Sequence, residues 1–221
     1  CLEKRKNRIP LQYIIGEWGF YKYNFKVGEG VLIPRPETEL IPEYIYSKFQ
    51  KDPPKVVYDI CTGSGCIGIT VAKLFPSCKV YCIDISDEAI KYTTINKEKL
   101  CADNVTILKA DMLDPTSPIG LPFADIIISN PPYIKSDEIP TLQKEVQFEP
   151  TLALDGGDDG LMFYRALKEN WFPFLNSNGL MVLECGENQS RDILELFLET
   201  AKGAKFIKDG QDIERIVVLK K

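Results

Sequence analysis

The chain has 221 residues, of which 44% are hydrophobic and 27% are charged, as in an ordinary globular protein. Its formal net charge of −5 argues against a nonspecific nucleic-acid-binding protein, which normally carries a broad basic surface. The chain contains no histidine, so histidine bases, Ser-His triads and histidine metal ligands are excluded.

The seven cysteines form no CxxC pair, which argues against a zinc site and favours reduced thiols in the cytoplasm. No apolar run is long enough to span a bilayer, and no signal peptide opens the sequence. We expect a cytoplasmic monomer without a metal, a membrane segment or direct nucleic-acid binding. Because the first residue is Cys1 rather than methionine, we also expect a fragment or a processed chain.

The first fifty residues predict a β-hairpin and a helix. Residues 20–25 alternate aromatic with polar side chains, residues 28–30 supply a glycine turn, and residues 31–33 return as the second strand. A helix is expected over about residues 37–49. A proline-containing linker at residues 51–54 then leads into the remainder of the chain.

Strands and helices alternate from there on, so we separate an N-terminal part, residues 1–54, from a larger domain, residues 55–221. Strands are expected at residues 56–60, 80–84, 105–109, 124–129 and 180–184. Helices are expected at residues 67–75, 88–100, 161–172 and 192–200. An antiparallel pair at residues 205–208 and 215–219 closes the chain. This alternation predicts an α/β fold, a doubly wound and mostly parallel seven-stranded sheet with an antiparallel last strand.

A glycine-rich turn follows the first strand of this domain. The run from Gly63 to Gly68 matches G-x-G-x-x-G, the pattern that lets a backbone approach a nucleotide at a helix start. Asp59 lies four positions before Gly63. Its carboxylate would repel the pyrophosphate of a dinucleotide but suits a positively charged ligand, such as the ammonium and sulfonium of S-adenosylmethionine.

Two more carboxylates follow the next two strands. Asp84 ends the second strand, about 20 residues after Gly63, where an acidic side chain accepts hydrogen bonds from ribose hydroxyls. Asp111 follows the third strand and could accept from an adenine amino group, with Met112 packed beside the base. Each alone could be a solvated strand-end carboxylate, but three at one edge of a parallel sheet favour a ligand site.

The fourth strand is followed by Asn130-Pro131-Pro132-Tyr133. Pro131 ends the strand because proline cannot donate to a sheet ladder. The side-chain oxygen of Asn130 and the carbonyl of Pro131 could each accept one N–H of a planar NH2 group, while Tyr133 covers its face. The alternative is an ordinary strand-ending turn, since Asn-Pro is a common turn starter.

These motifs carry a family resemblance. The residue 59–65 loop resembles that of class I S-adenosylmethionine-dependent methyltransferases, and residues 130–133 resemble the signature of their amino-group-modifying branch. Residues 10–16, Phe20, residues 32–39, Phe148-Glu149-Pro150 and Glu214-Arg215 are similar to the HemK/PrmC family. Enzymes of that family methylate the side-chain amide of the glutamine in the Gly-Gly-Gln loop of peptide chain release factors.

The resemblance implies roles for individual residues and makes residues 55–221 the catalytic domain. S-adenosylmethionine, or its product S-adenosylhomocysteine, would be bound by Asp59, Ile60, Cys61, Thr62, Gly63, Gly65, Asp84, Ile85, Asp111, Met112 and Asn130. The substrate would be bound by Phe20, Asn130, Pro131, Pro132 and Tyr133. Of these, Asn130, Pro131 and Tyr133 would be catalytic. Arg35 and Glu39 would either touch the cofactor or only anchor their own loop.

Two departures from the family pattern are visible. Cys61 replaces the first glycine of the cofactor loop, which could tighten the space beside the methionine moiety. The N-terminal helical domain that helps to dock the release factor is expected to be missing, apart from a tail at residues 1–8.

The expected mechanism follows from the weak nucleophilicity of an amide nitrogen, whose lone pair is delocalised into the carbonyl. Asn130 and Pro131 would orient this nitrogen, and positioning of that kind can contribute roughly 7–11 kcal/mol. No strong base is needed, because the methylated nitrogen is acidic and loses its proton readily.

Parts of the sequence are also compatible with other activities. An adenine amine in DNA or RNA could use the same four residues with a flipped base stacked on Tyr133, but the acidic charge disfavours it. A ribosomal-protein glutamine is a further alternative substrate. A nicotinamide-dependent oxidoreductase or a noncatalytic nucleotide-binding module would leave residues 130–133 unexplained.

Overall fold

The computed structural model describes residues 2–221, so Cys1 of the predicted N-terminal tail lies outside the described residues. The helices are α1 (Leu2–Lys6), α2 (Leu11–Ile15), α3 (Leu40–Phe49), α4 (Cys66–Leu74), α5 (Asp87–Lys99), α6 (Met162–Ala166) and α7 (Ser190–Phe197). The strands are β1 (Glu17–Phe20), β2 (Tyr23–Lys26), β3 (Val56–Ile60), β4 (Lys79–Asp84), β5 (Val105–Lys109), β6 (Ala124–Ser129), β7 (Leu175–Glu184), β8 (Gly203–Lys208) and β9 (Glu214–Lys220).

Seven of these strands form one sheet in the order β5-β4-β3-β6-β7-β9-β8. The pairs from β5 to β7 are parallel, and β9 runs antiparallel to both β7 and β8. The predicted α/β fold with an antiparallel last strand is therefore confirmed. The chain order reverses between β3 and β6, and in such sheets ligands bind at the carboxyl ends of the strands beside that reversal.

Buried strands were the elements that the sequence predicted best. The bounds of β3, β5 and β6 agree with prediction. The nearly continuous apolar runs of β3 and β6 are typical of strands covered on both faces, whereas β5 is a partly buried strand at the edge of the sheet. Strand β7 begins five residues before its predicted start, at Leu175. The extension was not predicted because residues 176–178 are polar. Its first residue, Leu175, pairs with Ala124, the first residue of β6.

The predicted hairpin is present, but its position was wrong. Phe20 pairs with Tyr23, so the turn consists of Tyr21 and Lys22 rather than residues 28–30. Tyr21 adopts a φ of 57°, a left-handed conformation that glycine or asparagine usually takes. Because no glycine or asparagine marks this turn, the alternating residues 20–25 resembled a single strand. Residues 27–33 form no strand.

Hydrophobic residues cover both faces of the large sheet. On one face, Phe20 and Phe25 of the hairpin and Ile41 and Ile45 of α3 join a cluster that includes Val57 of β3. On the other face, α6 and α7 pack over the sheet, with Trp171 and Tyr58 in edge-to-face contact. None of the helices in residues 2–221 has the length and apolar character needed to cross a membrane.

One buried amide joins three parts of the fold. Asn96, in α5, has no exposed surface. Its side-chain oxygen accepts a hydrogen bond from the Lys26 backbone N–H at 2.6 Å. Its side-chain nitrogen donates to the carbonyl of Lys26 at 3.0 Å and to that of Ser64 at 2.9 Å. The hairpin, α5 and the glycine-rich turn are therefore held in a fixed relation.

Replacing Asn96 by alanine should destabilise the protein markedly, because three backbone groups in the interior lose their partner. We expect a loss of roughly 2–4 kcal/mol in the free energy of unfolding, measured by urea denaturation. Glu98→Ala, on the exposed face of the same helix, is the control and should change stability by less than about 0.5 kcal/mol. Equal stability of the two variants would contradict the assigned role.

Candidate active site

A cavity lies at the carboxyl ends of β3, β4, β5 and β6. Its volume is about 160 Å³, compared with the roughly 10–15 Å³ that one bound water requires on the same measure. It can therefore accept part of an organic molecule. Its wall contains eight of the residues predicted to bind the cofactor: Cys61, Thr62, Gly63, Asp84, Ile85, Asp111, Met112 and Asn130.

The glycine-rich turn supports this wall from behind. Gly65 caps α4 with a φ of 79°, and a Cβ at that position would lie 2.9 Å from Cγ2 of Thr93. A Cβ on Gly68 would lie 2.8 Å from a carboxylate oxygen of Asp59. Both glycines thus allow α4 to begin directly against its neighbours. Gly65 does not line the cavity, although it was predicted to bind the cofactor.

Asp59 was predicted to bind the cofactor, but the structure places its side chain elsewhere. Asp59 is fully buried beneath the turn and does not line the cavity. One oxygen, Oδ2, accepts hydrogen bonds from the Gly68 N–H at 2.8 Å and the Thr62 hydroxyl at 2.5 Å. Burial raises the pKa of Asp59 to about 7, against the opposing effect of these two donors. Ile60, the next residue, is also buried in the core outside the cavity wall.

Asp84 lies in the cavity wall, as its position after β4 predicts. Its Oδ2 accepts from the Gly63 N–H at 2.9 Å, and its Oδ1 accepts from the Ser86 N–H at 3.0 Å. Burial raises the pKa of Asp84, and these backbone donors oppose the shift. Each carboxylate oxygen can accept a further hydrogen bond, so Asp84 keeps acceptor capacity for hydroxyl groups of a ligand.

The rest of this wall combines acidic and apolar groups. Asp111 uses one oxygen to accept from the Leu113 N–H at 2.9 Å. Ile85, Met112 and Leu113 provide apolar surface next to it. Among the described residues that line the cavity, Arg35 alone is basic, and it is paired with a carboxylate.

This donor and acceptor set fits S-adenosylmethionine better than a dinucleotide. The ribose hydroxyls and the adenine amino group need acceptors, which Asp84 and Asp111 offer. A pyrophosphate needs cations or free N–H groups, and the N–H of Gly63 is already used by Asp84.

Cys61 lies in the wall with a left-handed backbone, φ 59°. This conformation usually costs an L-residue roughly 1 kcal/mol or more, which explains why glycine is the usual occupant. The Cys61 sulfur contacts the Met112 sulfur at 3.3 Å. The thiol thus joins the loop after β3 to the one after β5.

Residues 130–133 extend from the end of β6 along one side of the cavity. Asn130 and Pro132 line it, whereas Pro131 and Tyr133 do not. The Asn130 amide nitrogen faces the Thr38 hydroxyl at 3.5 Å. The backbone carbonyl of Tyr133 accepts a hydrogen bond from the Gln189 side chain at 2.9 Å. Burial, followed by the nearby Glu184 and Glu37, raises the pKa of the Tyr133 hydroxyl.

Phe20 was predicted to bind the substrate, but it does not line the cavity. Only 1% of its surface is exposed, and its ring meets that of Phe25 edge to face at 6.0 Å between centroids. It belongs to the core beneath the hairpin and does not reach the cavity. An aromatic residue on a hairpin strand is equally compatible with either role, so its burial had to be observed.

Two further segments, residues 30–35 and 150–153, contribute to the cavity wall. Among their residues, the sequence had indicated only Arg35 as one that could touch the cofactor. Glu149 joins them, since its carboxylate accepts from the Ile33 N–H at 2.9 Å and from the Arg35 guanidinium at 2.5 Å. Arg35 therefore both lines the cavity and anchors its loop, whereas Glu39 does not line it. Both segments overlap runs that carry the family resemblance. That overlap was the signal in the sequence from which their place in the site could have been predicted.

The raised pKa of Asp59 predicts a pH dependence of stability. Its pKa is about 7 in the folded protein and about 3.9 in an unfolded chain. The native form therefore keeps this proton up to higher pH, and the contribution to stability is full below pH 4 and lost as pH rises through 7. Asp59→Asn has no such proton. Its stability relative to wild type should rise by roughly 3–4 kcal/mol between pH 4 and pH 8.

This dependence is measured by urea denaturation across that pH range. The exposed Asp103→Asn is the matched control and should follow wild type at every pH. A constant difference between Asp59→Asn and wild type would show that the Asp59 carboxyl ionises normally.

The sequence was also compared with known proteins. The family model described as Methyltransferase small domain matches residues 42–147. A release factor glutamine methyltransferase from Thermodesulfovibrio yellowstonii is 42% identical, and the alignment covers 100% of this chain and 79% of that protein. A release factor glutamine methyltransferase from Bacillus subtilis is 41% identical, covering 98% of this chain and 77% of that protein.

A comparison of structures agrees at the level of the fold. The crystal structure of a methyltransferase from Pyrococcus furiosus superposes with a TM-score of 0.66 and 19% sequence identity. The superposition covers 99% of this chain and 98% of that one. The sheet and its helices are thus those of known methyltransferases.

Proposed function

Because this chain belongs to the family of release factor glutamine methyltransferases, as its motifs predict, we propose that it methylates the glutamine of the Gly-Gly-Gln motif of peptide chain release factors. The methyl group would come from S-adenosylmethionine and pass to the side-chain amide nitrogen. One observation carries this proposal: Asn130, a group able to hold a planar amide, shares a cavity wall with Asp84 and Asp111.

The donor side of the site would use the residues that follow β3, β4 and β5. Asp84 would accept from the ribose hydroxyls, and Asp111 would accept from the adenine amino group. Ile85 and Met112 would pack against the base. When bound, S-adenosylmethionine supplies an electrophilic methyl group on a positively charged sulfur. The surrounding carboxylates favour that charge.

The substrate side would use Asn130 and the residue after it. The Asn130 oxygen and the Pro131 carbonyl would each accept one N–H of the glutamine amide. Among residues 2–221, no hydrogen bond is made to the Pro131 carbonyl, so its acceptor capacity is unused, although Pro131 lies outside the cavity wall. Holding both N–H groups fixes the direction of the nitrogen lone pair, and orientation of this kind can contribute several kcal/mol, roughly 7–11 in ideal cases.

The chain would need no strong base for this reaction. A methylated amide nitrogen that still carries its original protons is strongly acidic, so it can release one to solvent. The Gln189 side chain donates a hydrogen bond to the backbone carbonyl of Tyr133, three residues after Asn130. Tyr133 would limit the space for the substrate on that side. We further propose that residues 55–221 carry the chemistry, while residues 1–54 contribute one wall of the cavity through residues 30–38.

The function is tested by incubating the protein with purified release factor and labelled S-adenosylmethionine. Mass spectrometry should find one added methyl group on the peptide that contains the Gly-Gly-Gln motif. A release factor with that glutamine changed to alanine is the matched control and should remain unlabelled. Label on an adenine-containing oligonucleotide, with none on the release factor, would instead support the nucleic-acid alternative.

Two substitutions should separate methyl transfer from donor binding. Asn130→Ala removes the acceptor for the substrate amide, so methyl transfer should fall by about 100-fold or more, while binding of S-adenosylhomocysteine stays within a few-fold. Asp84→Ala removes the proposed ribose acceptor. It should weaken binding of S-adenosylhomocysteine by roughly 10- to 100-fold, because a hydrogen bond to a charged group contributes about 1.5–3 kcal/mol.

Calorimetry measures the binding, and single-turnover kinetics at saturating donor measure the transfer. Each variant serves as the control for the other, since each should change the quantity that the other leaves nearly intact. Full transfer activity in Asn130→Ala would disprove the proposed role of the amide.

A further inference from the structure

We propose that Thr38 and Glu184 are positioning residues that hold the Asn130 amide in one orientation, with its oxygen directed to the substrate. This inference rests on the proposed function, because it concerns how the amide of Asn130 can accept an N–H of glutamine. It gives a role to Glu184, a buried ionisable side chain that neither folding nor donor binding requires.

Glu184 is unusual within the core. It ends β7, the strand that pairs with β6, and none of its surface is exposed. Neither of its carboxylate oxygens completes a hydrogen bond of ordinary geometry among the described residues. A buried carboxylate without partners is costly, and a leucine or glutamine would be cheaper for folding alone. Folding alone therefore does not account for a carboxylate at this position.

Thr38 is near Glu184 and also borders the cavity. It is 2% exposed and contributes to the cavity wall. Its hydroxyl is the neighbouring group that most favours the ionised form of Glu184 by hydrogen bonding. The same hydroxyl oxygen lies 3.5 Å from the Asn130 amide nitrogen. The contact with Asn130 is at the upper limit of hydrogen-bond length, and no hydrogen bond joins Thr38 to Glu184 among the described residues.

The direction of these hydrogen bonds follows from the donors and acceptors present. An ionised carboxylate can only accept, and both oxygens of Glu184 are unused, so in this proposal the single proton of the Thr38 hydroxyl is donated to Glu184 when the substrate is bound. The Thr38 oxygen then offers only lone pairs to Asn130, and these can be satisfied by the amide nitrogen but not by the amide oxygen. The Asn130 oxygen is thereby turned away from Thr38 and remains free for an N–H of the substrate.

The charge of Glu184 is central to this arrangement. Burial raises the pKa of Glu184 to about 7, so the group is ionised at pH 8. Of the charged side chains that act on it, Glu37 raises this pKa, and Arg215 and Arg35 lower it. If Glu184 were neutral and able to donate, the Thr38 proton could point to Asn130 and favour the reversed amide.

The experiment compares four variants of this chain with wild type, at pH 8 and saturating S-adenosylmethionine. Thr38→Val keeps the shape but removes the hydroxyl, and we expect kcat to fall by about 10- to 100-fold. Thr38→Ser restores the hydroxyl and should recover kcat to within about 3-fold of wild type. In both variants, the Kd for S-adenosylhomocysteine should remain within about 2-fold.

The matched control for these variants is Thr70→Val. Thr70 is a buried threonine of α4, its hydroxyl also lacks a partner, and it does not line the cavity. This variant should leave kcat unchanged, which separates loss of a hydroxyl in general from loss of the one beside Asn130.

Glu184→Gln tests the charge. Glutamine can donate to the Thr38 oxygen, which frees the Thr38 proton to reach the Asn130 oxygen. We expect kcat to fall by about 10-fold or more, while thermal stability at pH 8 stays equal to or above that of wild type. A structural role would instead lower activity and stability together. The Glu184→Gln variant keeps the proposal testable even if Thr38→Val does not fold.

The outcomes separate this inference from the proposed function. If wild type does not methylate release factor, the proposed function is wrong. If wild type does so and Thr38→Val or Glu184→Gln retains kcat within about 2-fold, the positioning role is wrong and the function stands. A Thr38→Ser variant as slow as Thr38→Val would likewise overturn it.

Discussion

The buried carboxylate of Asp59 is the contact on which the rest of the site depends. It ties the end of β3 to the first turn of α4 through the Gly68 N–H, and it also holds Thr62 within the intervening turn. The turn in its fixed shape presents the N–H of Gly63 to Asp84 on the neighbouring strand. Strand, turn and helix thus become one rigid support, and the cavity opens above it.

Negative charge accumulates around this support. Asp84 and Asp111 line the cavity, and Asp59 lies beneath it, where the proximity of Asp84 adds to the effect of burial on its pKa. Like charges held close together in a partly dry site disfavour one another. A positively charged ligand in the cavity would relieve this repulsion and favour the ionised forms. The acidic character of the site is therefore a physical reason for selecting a sulfonium compound over a phosphate.

The opposite side of the cavity is assembled from segments that are far apart in the chain. Glu149 anchors the Arg35 loop, Thr38 meets Asn130, and Gln189 holds the backbone of Tyr133. Each of these contacts joins residues more than fifty positions apart. The amide-binding segment therefore has defined neighbours on two sides, although it is itself an irregular loop after a strand.

The amino-acid sequence determined the parts that follow from local pattern. The apolar runs of β3 and β6 specified buried strands, and the alternation with helices specified a parallel sheet. A parallel sheet brings the carboxyl ends of its strands to one edge, so Asp84, Asp111 and Asn130 could be assigned to one site before any contact was known.

Only the tertiary structure decided whether the other predicted site residues would face the cavity or the core. Asp59 turned to the N–H of Gly68 beneath the turn, and Phe20 turned into the core, since burial depends on neighbours distant in sequence. The hairpin turn at Tyr21 carried no glycine signal. Glu149 and Glu184 gained their surroundings from segments folded over them, because long-range packing, unlike periodicity, has no local trace in the chain.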